Sequence, residues 1–256
     1  MQKSKTQTGF LGFLESIIRR HAIIYYFARS IIIHFGIFEE DFNILSKFFR
    51  NKPLNIIDVG ASDGIAAKFF LKKLNVKKIY CFEPHDFFVK KLKKLKNKNK
   101  NKNIVLNNYG IGNKKEKIKI YYPSIKFLSF NLPILTYSFY DKKELKKQMQ
   151  LDFFNYKKLN IDKSMIQLKK YRTINKKVDL IKIDVNGYEL QIIKAILKQI
   201  KKDKPLLVIE NNEKLKEIDL LLKKYGYKKY YNKFSNFKIH KNEKVLDIFF
   251  INKKRI

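Results

Sequence analysis

The sequence predicts an α/β fold: a doubly wound, mostly parallel sheet with helices on both faces and an antiparallel pair at one edge. Three observations carry this prediction. From Leu54 onward, short apolar β-rich runs alternate with amphipathic stretches. The first run ends in a glycine turn that leads directly into a helical pattern, Ile65 to Lys73. With 256 residues, 45% of them hydrophobic, the chain can hold one domain of roughly 200 residues plus an appendage, long enough to sustain a core without staples.

Taken in order, residues 1–50 read as an N-terminal helical appendage and residues 51–256 as the main domain. Met1 to Thr8 lack the apolar core and cleavage site of a signal peptide. Phe10 to Phe38 is strongly apolar, but Arg19, Arg20 and Arg29 interrupt it, so no run reaches the ~18 apolar residues of a membrane span. Two accounts of this segment stand: helices that cover the sheet or form a dimer contact, and a basic interfacial helix resting on anionic lipid through Ile23–Phe27 and Ile31–Ile33. The expected location is cytoplasmic, with peripheral membrane contact at residues 10–38.

Strands are expected near 55–59, 77–82, 103–107, 178–184 and 205–210, with helices between most of them. In Lys90 to Asn103, Val89, Leu92 and Leu95 continue a helix, and the Lys/Asn alternation that follows reads as a solvated loop. Between Tyr122 and Arg172 the alternation lapses into an aromatic-rich stretch, read as an inserted lid at about 122–172 with its own helix near 141–158. Its aromatic rings either pack the insert onto the core or stack on sugar rings. Tyr227–Asn232 and Val245–Ile251, joined by a turn containing Asn232–Asn236, form the expected antiparallel edge.

Charge excludes less than it suggests. Fifty-seven Lys and Arg against 23 Asp and Glu give +34, but 51 of those cations are Lys and only 6 are Arg, the residue that grips phosphate and guanine edges. Nucleic acid is therefore disfavoured as a partner. The cationic surface instead favours an acidic or lipid-linked acceptor, or a workplace beside a membrane. The single Cys81 excludes an internal disulfide and a multi-cysteine zinc site, and the four His residues are widely scattered.

In Asp58-Val59-Gly60-Ala61-Ser62-Asp63-Gly64, the glycines let the backbone turn sharply and approach a ligand, and the helix that follows offers free N–H groups. Ser62 stands where a dinucleotide fingerprint needs glycine, and no Gly-Lys-Ser/Thr follows, so a diphosphate is disfavoured. Glu83-Pro84 lies ~20 residues beyond the turn, where an acid accepts ribose hydroxyls. A ribose without a diphosphate points to S-adenosylmethionine.

The runs DVGASDG, CFEP, NNYGIG, DLIKIDVNGYELQIIKA and PLLVIEN resemble, in order and spacing, the FkbM family of S-adenosylmethionine-dependent methyltransferases, over roughly residues 54–230. The most specific part is Lys182 to Glu189, similar to the family's KIDVEGxE; Asn186 replaces its usual Glu, which weakens any catalytic role for position 186. The resemblance implies a Rossmann-like class I methyltransferase fold with a seven-stranded sheet and an antiparallel edge strand. It also implies methyl transfer to a hydroxyl of a sugar, polysaccharide or secondary metabolite, so the partner is a small-molecule or glycan acceptor. The cofactor set it implies is Asp58, Gly60, Ala61, Ser62, Gly64, Glu83, Pro84, Asn108 and Gly110.

Three residues are candidates for catalysis. Lys182 and Asp184 share one face of their strand. Lys182 either pairs with Asp58 or another strand-end acid, or orients the acceptor and helps remove its proton. Asp184, at the strand end, is the stronger catalytic candidate. Glu189 caps or complements the next helix, with a functional role only from the resemblance. His85 stands as a base or as a solvent-facing helix start. Asp184, Glu210 and Asn211 form a candidate Mg2+ set. Two rival functions are carried: a non-catalytic lysine-rich module of the same fold on anionic membrane or glycan, and a base-directed N-methyltransferase. The latter needs an Asn/Asp-Pro-Pro-aromatic loop that Asn131-Leu132-Pro133-Ile134 only approaches.

Overall fold

The computed structural model describes residues 20–35, 42–98 and 103–255. Two helices lead in, α1 (Ala22–Phe35) and α2 (Asn43–Phe49), followed by β1 (Leu54–Val59), α3 (Ile65–Lys73), β2 (Val76–Phe82), α4 (Asp86–Lys98) and β3 (Ile104–Asn107). Next come β4 (Gly110–Gly112), β5 (Glu116–Phe127), β6 (Phe130–Pro133), α5 (Lys142–Asp152) and β7 (Asn160–Lys170). The chain closes with β8 (Leu180–Ile183), α6 (Glu189–Ala195), α7 (Leu197–Asp203), β9 (Leu206–Glu210), α8 (Leu215–Lys223), β10 (Tyr227–Lys233), β11 (Asn236–Ile239) and β12 (Asp247–Asn252).

Parity along the central strands sorts their apolar residues into two cores, one on each face. In β1, Ile56 enters one core with Ala67, Phe69 and Phe70, while Ile57 and Val59 enter the other with Ile192 and Ile193. The same parity holds in β8 and β9: Leu180, Leu206 and Val208 face the first core, and Ile181, Ile183, Leu207 and Ile209 the second. Runs apolar on both faces are what a sheet covered on both sides requires.

The main sheet has eight strands in the order β11-β10-β12-β9-β8-β1-β2-β3. β3, β2, β1, β8 and β9 run parallel, and β12, β10 and β11 add antiparallel neighbours. This is one strand more than expected. The turn at Phe234 and Ser235, both with positive φ, folds the chain back as β11 instead of delivering it to β12, which slots between β10 and β9. The winding reverses between β1 and β8, and ligands of such sheets bind beyond the carboxyl ends of the strands at that point.

A second sheet, β4-β7-β5-β6, is inserted between β3 and β8. It begins at Gly110, ahead of the aromatic stretch, and its helix spans Lys142–Asp152, shorter than the 141–158 read from sequence. The helix starts at Asp141, whose side chain accepts the Lys143 and Glu144 N–H groups, and it ends at Phe153. Tyr25 of α1 packs into the insert's own core with Ile125, Tyr137, Leu145 and Phe153. Among the described residues, no helix is long and apolar enough to cross a membrane.

Candidate active site

Register brings the first charged pair together. Parallel pairing sets Asp58 of β1 opposite Lys182 of β8, with Cys81 of β2 and Val208 of β9 flanking them in the same row across the sheet. Both charges face the first core near the strand ends. Lys182 Nζ lies 3.7 Å from Asp58 Oδ1 and 3.1 Å from Asp184 Oδ2, and it donates to the Gly60 carbonyl at 3.3 Å. Asp58 is fully buried, and that burial raises its pKa against the opposing pull of Lys182. A buried ammonium with three oxygen partners is held in place by charge and geometry. The expected pair with Asp58 is therefore present, and the same ammonium also orients Asp184.

Two loops meet above this row. Gly60 has φ +75°, and a Cβ there would lie 1.9 Å from the Asp184 carbonyl oxygen, so the ends of β1 and β8 touch through backbone alone. The turn after β1 is fixed by Glu83: Oε2 accepts the Ser62 N–H and Oε1 the His85 N–H, each at 2.8 Å. The turn after β8 is fixed by Glu189: Oε1 accepts the Val185 and Gly187 N–H groups at 3.1 Å, and Oε2 accepts Asn212 Nδ2 at 2.7 Å. Burial raises both carboxyl pKa values, that of Glu83 to about 7.

A cavity of about 630 Å³ opens over these loops and runs beneath the insert. That volume suits a ligand of drug or cofactor size, typically about 300–1,000 Å³. Its wall includes Gly60, Ala61, Ser62, Glu83, Pro84, Gly110, Lys182 and Asp184 from the expected set. Four expected residues stand elsewhere. Asp58 lies beneath the wall as the partner of Lys182. Gly64 caps the start of α3 in the left-handed conformation, φ +85°. Asn108 is exposed, with its amide held by Asp86 Oδ1 at 3.0 Å, too far around the strand end to face the cavity. Glu189 is wholly buried and outside the lining, and its carboxylate shapes the loop that carries the motif.

The metal expectation is not supported. Asp184, Glu210 and Asn211 all line the cavity, but no group of three His, Cys, Asp or Glu side chains among the described residues is placed to hold an ion. His85 lines the cavity, and burial lowers its pKa; its Nδ1 accepts the Phe87 N–H at 3.3 Å, tying the ring to the start of α4. The insert aromatics Tyr137, Phe139 and Tyr140 and the motif's Tyr188 join the wall, and Thr136, Ser138, Glu144 and Asn212, which the sequence reading left out, complete it. For Asn212 the doubled Asn after the β9 run is the sequence signal, because a polar pair ending a buried strand must find partners.

A doubly wound sheet with this glycine turn and a ribose-type acid at the end of β2 defines a Rossmann-like methyltransferase. The chain belongs to the FkbM methyltransferase family: the methyltransferase FkbM domain matches residues 58–229. It is by that membership an S-adenosylmethionine-dependent methyltransferase. Among solved structures, the FkbM methyltransferase of Methylobacillus flagellatus KT is similar at 15% identity and a TM-score of 0.48, over 77% of this chain and 43% of its own, so this chain spans less than half of that protein's length. A SAM-dependent methyltransferase from Aquifex aeolicus is similar at 14% identity and a TM-score of 0.44, covering 84% of this chain and 89% of its own. A ribosomal protein L11 methylase from Lactobacillus delbrueckii subsp. bulgaricus is similar at 14% identity and a TM-score of 0.45, covering 82% and 75%. No curated protein matches this chain.

The residues present fit the cofactor. Each Glu83 oxygen has one protein donor, which leaves two of its roughly four acceptor sites for hydroxyls in the cavity it lines. Gly60 adds backbone without side-chain bulk to the same wall.

Proposed function

We propose that this methyltransferase acts on a hydroxyl oxygen of an uncharged sugar, polysaccharide or secondary metabolite. Asp184 carries the reading. It is the half-exposed carboxylate of the cavity wall, fixed by Lys182 at 3.1 Å and separated from Glu83 by the Gly60 turn. S-adenosylmethionine supplies an electrophilic methyl group when bound. Glu83 and the glycine turn hold it, Lys182 fixes the Asp184 carboxylate, and Asp184 Oδ takes the proton of the acceptor hydroxyl.

The lining also argues about acceptor charge. Eight of the chain's 23 acids line the cavity, Glu144, Asp152, Glu210 and Glu213 among them, against four of its 57 Lys and Arg. The basic field stays on the outside of the molecule. An anionic acceptor, favoured by the net charge alone, would meet repulsion inside, whereas a neutral hydroxyl would not. The base-directed alternative has little support: Asn131 lies in β6 and bonds Asp162, far in sequence from the β8 end where its loop belongs.

A screen of glycan and lipid-linked sugar acceptors with labelled methyl donor tests the proposal. An accepted substrate should lose about 10²–10⁴-fold in turnover in Asp184→Asn, with donor affinity kept. Full turnover in that variant, or label recovered only on nitrogen, would overturn it. Turnover is expected to persist in excess EDTA.

A further inference from the structure

The outer side of the α1–insert unit carries an apolar face that its own core does not use. Tyr25 turns inward, while Ile23, Ile24 and Phe27 are 40%, 50% and 51% exposed. Ile23, Ile24 and Phe27 follow helical spacing on α1 and so form one stripe. At its N-terminal end the stripe meets the exit of α5. The Phe154 N–H donates to the Arg20 carbonyl, and the exposed Phe154 ring lies 4.8 Å beneath the Arg20 guanidinium and 5.7 Å from the His21 ring. Exposed Leu151 lies one turn back along the helix, and exposed Lys157 and Lys158 follow within four residues. The result is an apolar stripe on α1 with an exposed aromatic ring and cations at its N-terminal end.

We propose that this face docks on an anionic lipid bilayer. Charge selects that occupant. A second copy would bring another +34 against the first, whereas an anionic surface attracts each nearby Lys or Arg by about 1 kcal/mol and then accepts Ile and Phe side chains at the headgroup boundary. The part of this surface that sequence assigned to Phe10–Arg19, to the side chains of Ile31–Ile33 and to residues 36–38 lies outside the described residues, and the proposal does not use it.

The face is rigidly tied to the site. Tyr25 Oη is 3.2 Å from Thr136 Oγ1, and Asn186 Nδ2 donates to the Thr136 carbonyl at 3.3 Å, so one insert residue links α1 to the loop after β8. Tyr25 and Leu151 also line the cavity. A docked chain therefore presents its cavity beside lipid, which favours a lipid-linked acceptor; this last step rests on the hydroxyl-transfer reading, and the docking does not.

The chain contains no Trp, so Phe27→Trp supplies a single reporter. Its emission should shift to the blue on adding vesicles of phosphatidylcholine with one quarter phosphatidylglycerol, and stay put with phosphatidylcholine alone. Phe234→Trp, at the exposed β10–β11 turn, should not respond. In co-sedimentation, Ile24→Asp/Phe27→Asp should weaken binding to the anionic vesicles at least about tenfold with cofactor binding retained. Should that variant fail to fold, Phe154→Asp takes its place. The proposal is overturned if neither binding nor a blue shift occurs, or if the aspartate variants bind vesicles as tightly as the parent. It is equally overturned if the stripe instead mediates a dimer that these substitutions abolish.

Discussion

Glu83 and Glu189 have the same job description in miniature and different roles. Both are buried carboxylates that accept backbone N–H groups from a tight loop at a strand end, and burial raises the pKa of both. Glu189 is saturated by protein: two N–H groups and the Asn212 amide, with no surface on the cavity. Glu83 keeps open acceptor sites on the cavity wall. Residue type, burial and a shifted pKa therefore do not tell a ligand-binding acid from a loop-shaping one. The direction of its unused lone pairs does.

The largest effect is expected where the two loops touch. Gly60→Ala sets a methyl group against the Asp184 carbonyl and forces a side chain into positive φ, so a loss of more than about 4 kcal/mol is expected, read as a collapse in soluble yield or in the urea midpoint. A well-folded variant would show that the loops are free to separate. Next, Glu83→Ala should weaken cofactor binding at least about 100-fold in calorimetry, since two hydroxyl bonds to a carboxylate are worth about 1.5–3 kcal/mol each. Glu189→Ala orphans three donors and should cost about 3 kcal/mol in urea unfolding, with donor affinity of the folded fraction changed less than about threefold. Equal losses of affinity in the two variants would erase the distinction between them.

The most gradual effect is a pair of opposed pH slopes. The folded chain holds the Glu83 proton more tightly than the unfolded one, so its contribution to stability is full below about pH 4.5 and falls by up to about 3 kcal/mol as pH rises to about 7. Hydroxyl donors prefer the carboxylate, so cofactor affinity should rise over the same interval with release of a proton, visible as a binding enthalpy that depends on the buffer. Affinity that does not change between pH 5.5 and 8 would remove Glu83 from the cofactor.

Much of this was readable in the chain because the relevant physics is local. NIIDV, KIYCF and PLLVIE are apolar on both faces and stop at Gly or acid, so strand, burial and strand end coincide in one string. The insert was harder to bound because β5 alternates Lys117 and Lys119 with Ile118 and Ile120 and is only half buried, a pattern weaker than that of the central strands. β11 escaped because NFKI is short and mostly exposed. The loop-shaping contacts of Glu189 are not legible in the chain because its partner Asn212 lies on the next strand's loop, and spacing alone does not tell that Asn108 bonds Asp86 rather than lining the cavity. The Lys182–Asp58 pair is legible in the chain, since parallel register leaves a buried strand-end Lys few partners other than Asp58.

Cys81 stands in the same row as Asp58 and Lys182, wholly buried, with its thiol pKa pushed up by that burial. As the chain's only sulfhydryl, it makes the floor of the site a clock. A thiol reagent reaches it only when β1 and β2 part, so under fast reclosing the labelling rate reports how often that floor opens. Each ligand that tightens the strand ends should slow that clock in proportion to its grip.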